Sequence, residues 1–199
     1  MIQPVVGVLI CRHSRAARAT TPSITGAVTV LGGSGDDRID NGGNNVSVLA
    51  GYGNDVIDNH GGNNTTINTG NGLNTVYNWF SDSVTIGGGK DNDQLESHGG
   101  TNISIKAGAG DDTIFNYGDS VTVDAGDGND SIQHGSSNST ILCDNGNDTV
   151  NILSYWSGSE VMISLTSGTV VATSISDAGG YYSERRERLY YIHQQSSSQ

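Results

Sequence analysis

The sequence predicts an all-β protein, a parallel β-solenoid (β-roll) of about seven coils with two short strands per coil. Three observations carry this expectation. A glycine and aspartate motif returns seven times in phase, and a short strand of alternating apolar and polar residues returns midway between its copies. The chain is also too lean for one ordinary globular core, with 34% hydrophobic residues and 29 Gly in 199 residues.

The motif reads G-x-G-[N/D]-D-x-U, with U apolar. Clear copies open at Gly33, Gly51, Gly108 and Gly126; degraded ones run from Gly70 to Val76, Gly89 to Leu95 and Asp144 to Val150. The fifth motif position falls at 37, 55, 74, 93, 112, 130 and 148, in steps of 18 or 19 residues. That step is twice the nine-residue repeat of a β-helix, so one copy supplies one full coil.

Each motif ends in a wall residue: Ile39, Ile57, Val76, Leu95, Ile114, Ile132 and Val150. The intervening strands, such as Val28-Thr-Val30 and Val46-Ser-Val48, alternate apolar, polar, apolar, so two residues face inward and one outward. Their opposite wall is Val30, Val48, Ile67, Ile86, Ile105, Val123 and Ile141. Asn41, Asn59, Asn78 and Asn116, with Ser97 in the fourth place, form a corner column whose amides can bond from coil to coil.

Six Asp stand in the seven-rung motif column. At one coil spacing of about 4.8 Å like charges repel by roughly 1 kcal/mol or more, which a cation between rungs would offset. A hard cation with oxygen ligands fits, and calcium tolerates a mixed carboxylate and carbonyl cage better than magnesium. Glycines let the turn aim carbonyls at the ion.

These copies resemble the G-G-x-G-x-D-x-U-x motif of the RTX (repeats-in-toxin) calcium-binding nonapeptide-repeat family, over about 115 of 199 residues. The resemblance implies a β-roll with Ca²⁺ between turns, in extracellular bacterial proteins. The implied ligands are the carboxylates of Asp37, Asp55, Asp93, Asp112, Asp130 and Asp148. The implied carbonyl donors are Gly33, Gly35, Gly51, Gly53, Gly108, Gly110, Gly126, Gly128 and Gly146. Here the motif recurs every 18 to 19 residues rather than every nine, so calcium is expected on one edge only. Leu73 and Asn74 interrupt the pattern, and pairs of adjacent Asp then predict about four ions, six at most.

Residues 23–180 carry three basic residues against nineteen acidic ones, a net charge of −16, which excludes nucleic acid as a partner of the repeats. No apolar run is long enough for a membrane span. The small-residue site at Ala17-Arg-Ala19 lacks a basic n-region before it, against a signal peptide. Cys11 and Cys143 match no zinc spacing, and Cys143 reads as a small inward residue. His60 and His98 share a turn position two coils apart, too far for one zinc, and read as exposed turn residues.

The outward column Thr29, Ser47, Thr66, Thr85, Ser104, Thr122, Thr140 resembles ice-binding solenoid faces, but the next column, Leu49, Asn68, Gly87, Lys106, Asp124, Leu142, has no second Thr rank. Sequons at Asn45, Asn64, Asn102 and Asn138 follow from the repeat composition. No nucleophile and base arrangement breaks the regularity, so the chain reads as a non-enzyme.

The organisation expected is a poorly specified segment 1–22, the repeats 23–153, and capping strands and tail 154–199. Within the last, Glu160 to Leu165 and Thr169 to Ser176 read as strands and Glu184 to His193 as a short charged helix. The function expected is a calcium-binding structural or interaction module, secreted or at the cell surface, that folds on binding Ca²⁺. Alternatives are the non-catalytic repeat tail of a secreted hydrolase or toxin, and an adhesin or ice-binding surface. Exposed sheet edges allow self-association or an extracellular protein or surface as partner.

Overall fold

Alternation at period two and glycine turns at period 18 to 19 produce two stacks of parallel strands that the chain visits in turn. The computed structural model describes residues 7–10, 28–154, 160–165, 167–176 and 188–193, and every element among them is a strand. One face stacks Gly7–Ile10, Val28–Ser34, Val46–Tyr52, Thr66–Asn71, Thr85–Gly89, Ser104–Ala109, Thr122–Asp127, Ser139–Leu142, Glu160–Leu165 and Arg188–His193. The other stacks Arg38–Asn41, Val56–His60, Thr75–Trp79, Gln94–His98, Thr113–Asn116, Ser131–His134, Asn145–Ser154 and Ser167–Ser176. We call them the hydroxyl face and the aromatic face. Every pairing is parallel and joins one coil to the next, so the protein is a parallel β-solenoid.

The register reproduces both expected walls, with Val30 opposite Val48 opposite Ile67, and Ile39 opposite Ile57 opposite Val76. All fourteen wall residues are at most 1% exposed. Burying a side chain of this size contributes roughly 1.5–3 kcal/mol. Two further inward columns complete the interior on the hydroxyl face. One begins Val28, Val46, Thr65, Val84; the other, made of small residues, includes Ala50, Thr69, Ala107, Ala125 and Cys143. Cys143 is fully buried, as its spacing indicated.

The hydroxyl column is in register from Thr29 to Thr140 and ends against Met162. The sequon asparagines Asn45, Asn64, Asn102 and Asn138 have φ between 53° and 59°, a left-handed conformation that Asn tolerates, so the turn itself explains their recurrence.

One expectation for the C-terminal part changes. The expected strands are present as Glu160–Leu165 and Ser167–Ser176, and they pair in register with the last repeat strands. Arg188–His193 is a strand, not part of a helix, because Leu189, Tyr190, Tyr191 and Ile192 find an open parallel partner in Val161, Met162, Ile163 and Ser164. The remainder of the expected helix, 184–187, and the segment 11–27 with Cys11 and the possible cleavage site lie outside the described residues.

Candidate functional site

The two residues that close each G-x-G-[N/D]-D turn build two ladders of opposite polarity. The fourth-position residues are exposed, and most accept from the backbone N–H of the following coil: Asp36 from Asn54 at 2.8 Å, Asn92 from Asp111 at 2.9 Å, Asp111 from Asn129 at 2.8 Å and Asn129 from Asn147 at 3.1 Å. Leu73 receives no such role, since its side chain accepts nothing, although its N–H donates to Asn54 at 2.8 Å. The motif contained this ladder as its [N/D] position, but spacing alone did not assign it a bond.

The fifth-position residues are buried, at most 5% exposed, and from Asp55 onward each accepts from the preceding coil. Oδ1 of Asp55, Asp93, Asp112, Asp130 and Asp148 accepts from the N–H of Asp37, Asn74, Asp93, Asp112 and Asp130, at 2.7–2.9 Å. Thus the structure brings Asp37, Asp55, Asp93, Asp112, Asp130 and Asp148 into one continuous column, as the spacing indicated. Each carboxylate spends one oxygen on this ladder.

The second oxygen is the chemical problem. Oδ2 of Asp55, Asp93, Asp112, Asp130 and Asp148 is buried without a hydrogen-bond partner. It faces the small-residue column across the turn: a Cβ placed on Gly88 would lie 2.5 Å from Asp93 Oδ2, and one on Gly32 would lie 2.8 Å from Asp37 Oδ2. Burial is the main reason these carboxyls titrate high, Asp55, Asp93 and Asp130 at about 6 and Asp112 at about 7. Bonds from the ladder N–H groups pull the values down, and neighbouring Asp raise those of Asp55, Asp93, Asp112 and Asp130 further. Asp148 also shifts upward, again chiefly by burial.

The third rung shows what this position asks for. Asn74 is only 2% exposed; its Oδ1 accepts from Asp55 N–H at 3.0 Å and its Nδ2 donates to the Gly72 carbonyl at 2.8 Å. An amide carries both an acceptor and a donor, so it satisfies the rung unaided. A carboxylate in the same place presents a second acceptor and needs a proton or a cation.

The turn glycines line the same edge. Gly33, Gly35, Gly51, Gly53, Gly108, Gly110, Gly126, Gly128 and Gly146 all have positive φ. At Gly51 (φ 117°) and Gly53 (φ 128°) a Cβ would also run into the carbonyls of Gly33 and Gly35 one coil before. Some turn carbonyls are already committed: those of Tyr52, Asn71, Asp127 and Asn145 accept from Gly35, Gly53, Gly110 and Gly128 at 2.8–3.0 Å.

Calcium fits this donor set. The orphaned oxygens of Asp93, Asp112, Asp130 and Asp148 belong to consecutive coils, at the strand spacing of about 4.8 Å, close to twice the calcium–oxygen distance of about 2.4 Å; that of Asp55 lies two coils before Asp93, across the Asn74 rung. Among the described residues no three His, Cys, Asp or Glu side chains form a group that could hold a metal ion, so a cation on this edge would need carbonyls beside the carboxylates.

The opposite edge behaves differently. Asn41 donates to Asn59 at 2.6 Å, Asn59 to Asn78 at 2.7 Å and Asn78 to Ser97 at 3.2 Å. The column then continues through Asn116 into His134, which the sequence reading missed although it lies one repeat step further on; Asn116 Nδ2 and His134 Nδ1 are 2.8 Å apart. His134 is fully buried, its Nε2 has no hydrogen-bond partner, and burial lowers its titration to about 4. Outside this edge His60, Trp79, His98 and Tyr117 form one ring stack, with centroids 6.3, 4.3 and 6.0 Å apart and Trp79 between the two histidines.

Fold and ladders together define a parallel β-solenoid with one carboxylate edge. No family model, curated protein or solved structure matches the chain. Among the described residues no helix is long and apolar enough to cross a membrane.

Proposed function

We propose that this chain is a calcium-binding structural and interaction repeat module of RTX type, secreted or displayed at a cell surface, and not an enzyme. The observation that carries the reading is the column of buried Oδ2 atoms on Asp55, Asp93, Asp112, Asp130 and Asp148 without hydrogen-bond partners. Asp37, Asp55, Asp93, Asp112, Asp130 and Asp148, with the glycine carbonyls of the same turns, would hold the ions. Bound calcium supplies positive charge to a column that otherwise repels itself.

The chain's own residues do the rest. The backbone N–H groups fix one oxygen of each carboxylate, the glycines clear the coil-to-coil approach, and the apolar walls set the register. In low calcium the acidic column opposes stacking; where calcium is abundant, binding free energy becomes folding free energy. The extended faces then serve as an interaction surface for a second copy or an extracellular partner.

The test is far-UV circular dichroism during a calcium titration of EGTA-treated protein, repeated with Asp112→Asn and Asp130→Asn together. The expected wild-type result is a calcium-driven gain of β-sheet signal. The double variant should respond less to calcium, because each amide satisfies its rung as Asn74 does. A wild-type spectrum already ordered and indifferent to calcium would overturn the reading.

A further inference from the structure

Where the motif degenerates, the hydroxyl face carries a notch of about 370 Å³, over the strands Thr66–Asn71, Thr85–Gly89 and Ser104–Ala109. Its floor is the run Gly87, Gly88, Gly89, and its rim includes Asn68, Asn71, Lys90 and Lys106. The two lysines are two of the three basic residues in the whole acidic stretch 23–180.

Gly87 is what opens the notch, and the backbone does not require it. Its φ is not among the positive ones, and an ideal Cβ there meets nothing nearer than the Ile67 carbonyl at 3.7 Å, an ordinary contact. By contrast a Cβ on Gly88 would crowd Asp93 and the Ala107 carbonyl, and one on Gly89 would run into the Gly70 carbonyl. In its outward column Gly87 lies between Asn68 and Lys106, so one missing side chain creates the recess. A strand-interior glycine weakens a sheet unless something must approach its backbone closely.

A second departure from the repeat supports the floor from inside. Thr69 is the hydroxyl residue of the buried column that holds Ala50, Ala107, Ala125 and Cys143, and its Oγ1 donates to the Gly88 carbonyl at 2.7 Å. The floor is thereby pinned.

The rim chemistry specifies a ligand class. Two ammonium groups on a strongly acidic body select an oxyanion, and Lys106, its side chain 67% exposed, pairs with Asp124 at 3.9 Å. Two carboxamides offer both donors and acceptors, which suits hydroxyl groups. The volume exceeds that of a bare ion and is at the small end of small-molecule sites, about 300–1,000 Å³. We propose that the notch binds a small acidic sugar, a uronate or a sugar phosphate, through its oxyanion on Lys90 and Lys106 and its hydroxyls on Asn68 and Asn71. The proposed contacts use none of the carboxylates of the calcium reading, although Gly108 lines the notch and Gly88 packs against Asp93.

The test is a titration of the ¹⁵N-labelled full chain, in saturating calcium, with glucuronate, glucose 6-phosphate, glucose or inorganic phosphate. The amide resonances of Gly87, Gly88 and Gly89 are followed. Saturable shifts are expected with both acidic sugars, with glucose binding about tenfold more weakly for want of the charge-assisted contact and phosphate about tenfold more weakly for want of the hydroxyl contacts. Whichever acidic sugar binds more tightly identifies the preferred oxyanion. Lys106→Ala should weaken binding about tenfold. Gly87→Val keeps both lysines, suits a strand, and should retain the circular dichroism spectrum while abolishing the shifts. Immobile glycine resonances, phosphate or glucose binding as tightly as the acidic sugars, or a Gly87→Val variant that binds like wild type would each overturn the proposal.

Discussion

The two edges of this solenoid solve the same stacking problem with different side chains. On one edge the amides of Asn41, Asn59 and Asn78 pass hydrogen bonds from coil to coil, because every amide brings a donor and an acceptor. On the other edge the buried Asp column accepts one bond per rung from the neighbouring backbone and is left with a second acceptor. The difference teaches that burial alone does not make a column self-sufficient. An amide edge closes itself, whereas a carboxylate edge depends on its surroundings for a proton or a cation. Asn74, an amide standing in the carboxylate column, makes the contrast within one ladder.

The harshest way to break the comparison is to put a carboxylate on the amide edge. Asn59 is fully buried, accepts from Asn41, and donates to Asn78 and to the Gly62 carbonyl. Asn59→Asp removes both donated bonds and buries an uncompensated charge, so stability should fall by about 3–5 kcal/mol in urea denaturation monitored with calcium present.

The converse exchange completes the carboxylate edge. Asn74→Asp should cost about 1–3 kcal/mol at the lowest calcium that keeps the chain folded, through loss of the bond to the Gly72 carbonyl. In calcium the loss should shrink, and the bound-ion count from equilibrium dialysis should rise, because the rung now joins Asp55 to Asp93. An unchanged ion count would argue against ions shared between adjacent rungs.

A pH series sharpens the contrast without mutation. Asp55, Asp93 and Asp130 titrate at about 6 and Asp112 at about 7 in the folded chain, above the usual carboxylate value of 3.8. Across that interval the folded state binds more protons than the unfolded state, so the stability these groups contribute is complete below about 4 and is lost as pH rises through about 6 to 7. Thermal midpoints at the lowest calcium that keeps the chain folded should therefore fall from pH 4 to pH 7. Added calcium should flatten the decline.

The smallest effect belongs to His134, where the amide column ends in a ring titrating at about 4 instead of 6.5. Its sign is opposite: the folded state resists protonation, so this contribution is present above pH 6.5 and lost as pH falls through 4. His134→Asn should change stability at pH 7 by no more than about 1 kcal/mol while removing that acid-side loss, read as a changed slope of thermal midpoint against pH.

Much of this was legible in the residue order. A period of 18 to 19 residues with apolar positions in phase leaves one parallel register, so both walls and the Asp column followed from spacing, and Asn41 to Asn78 followed from the same arithmetic. Less visible was anything set by a neighbour in space. The strand Arg188–His193 read as part of a helix because it follows the charged run Glu184 to Glu187, and the open partner at Val161–Ser164 made it a strand. His134 has no amide to mark it as the next rung of the Asn column, and only the stack places it beside Asn116.

The sequence by itself determined the solenoid, its pitch in residues, the inward and outward columns and the side chains at each edge, since strand alternation and a fixed repeat admit one stacking. Only the tertiary structure decided the direction in which each ladder bonds, which oxygen of each Asp is left over, and that one unforced glycine opens a notch between two lysines. Those properties depend on which atoms of successive coils meet, and that is set by turn geometry rather than by spacing along the chain.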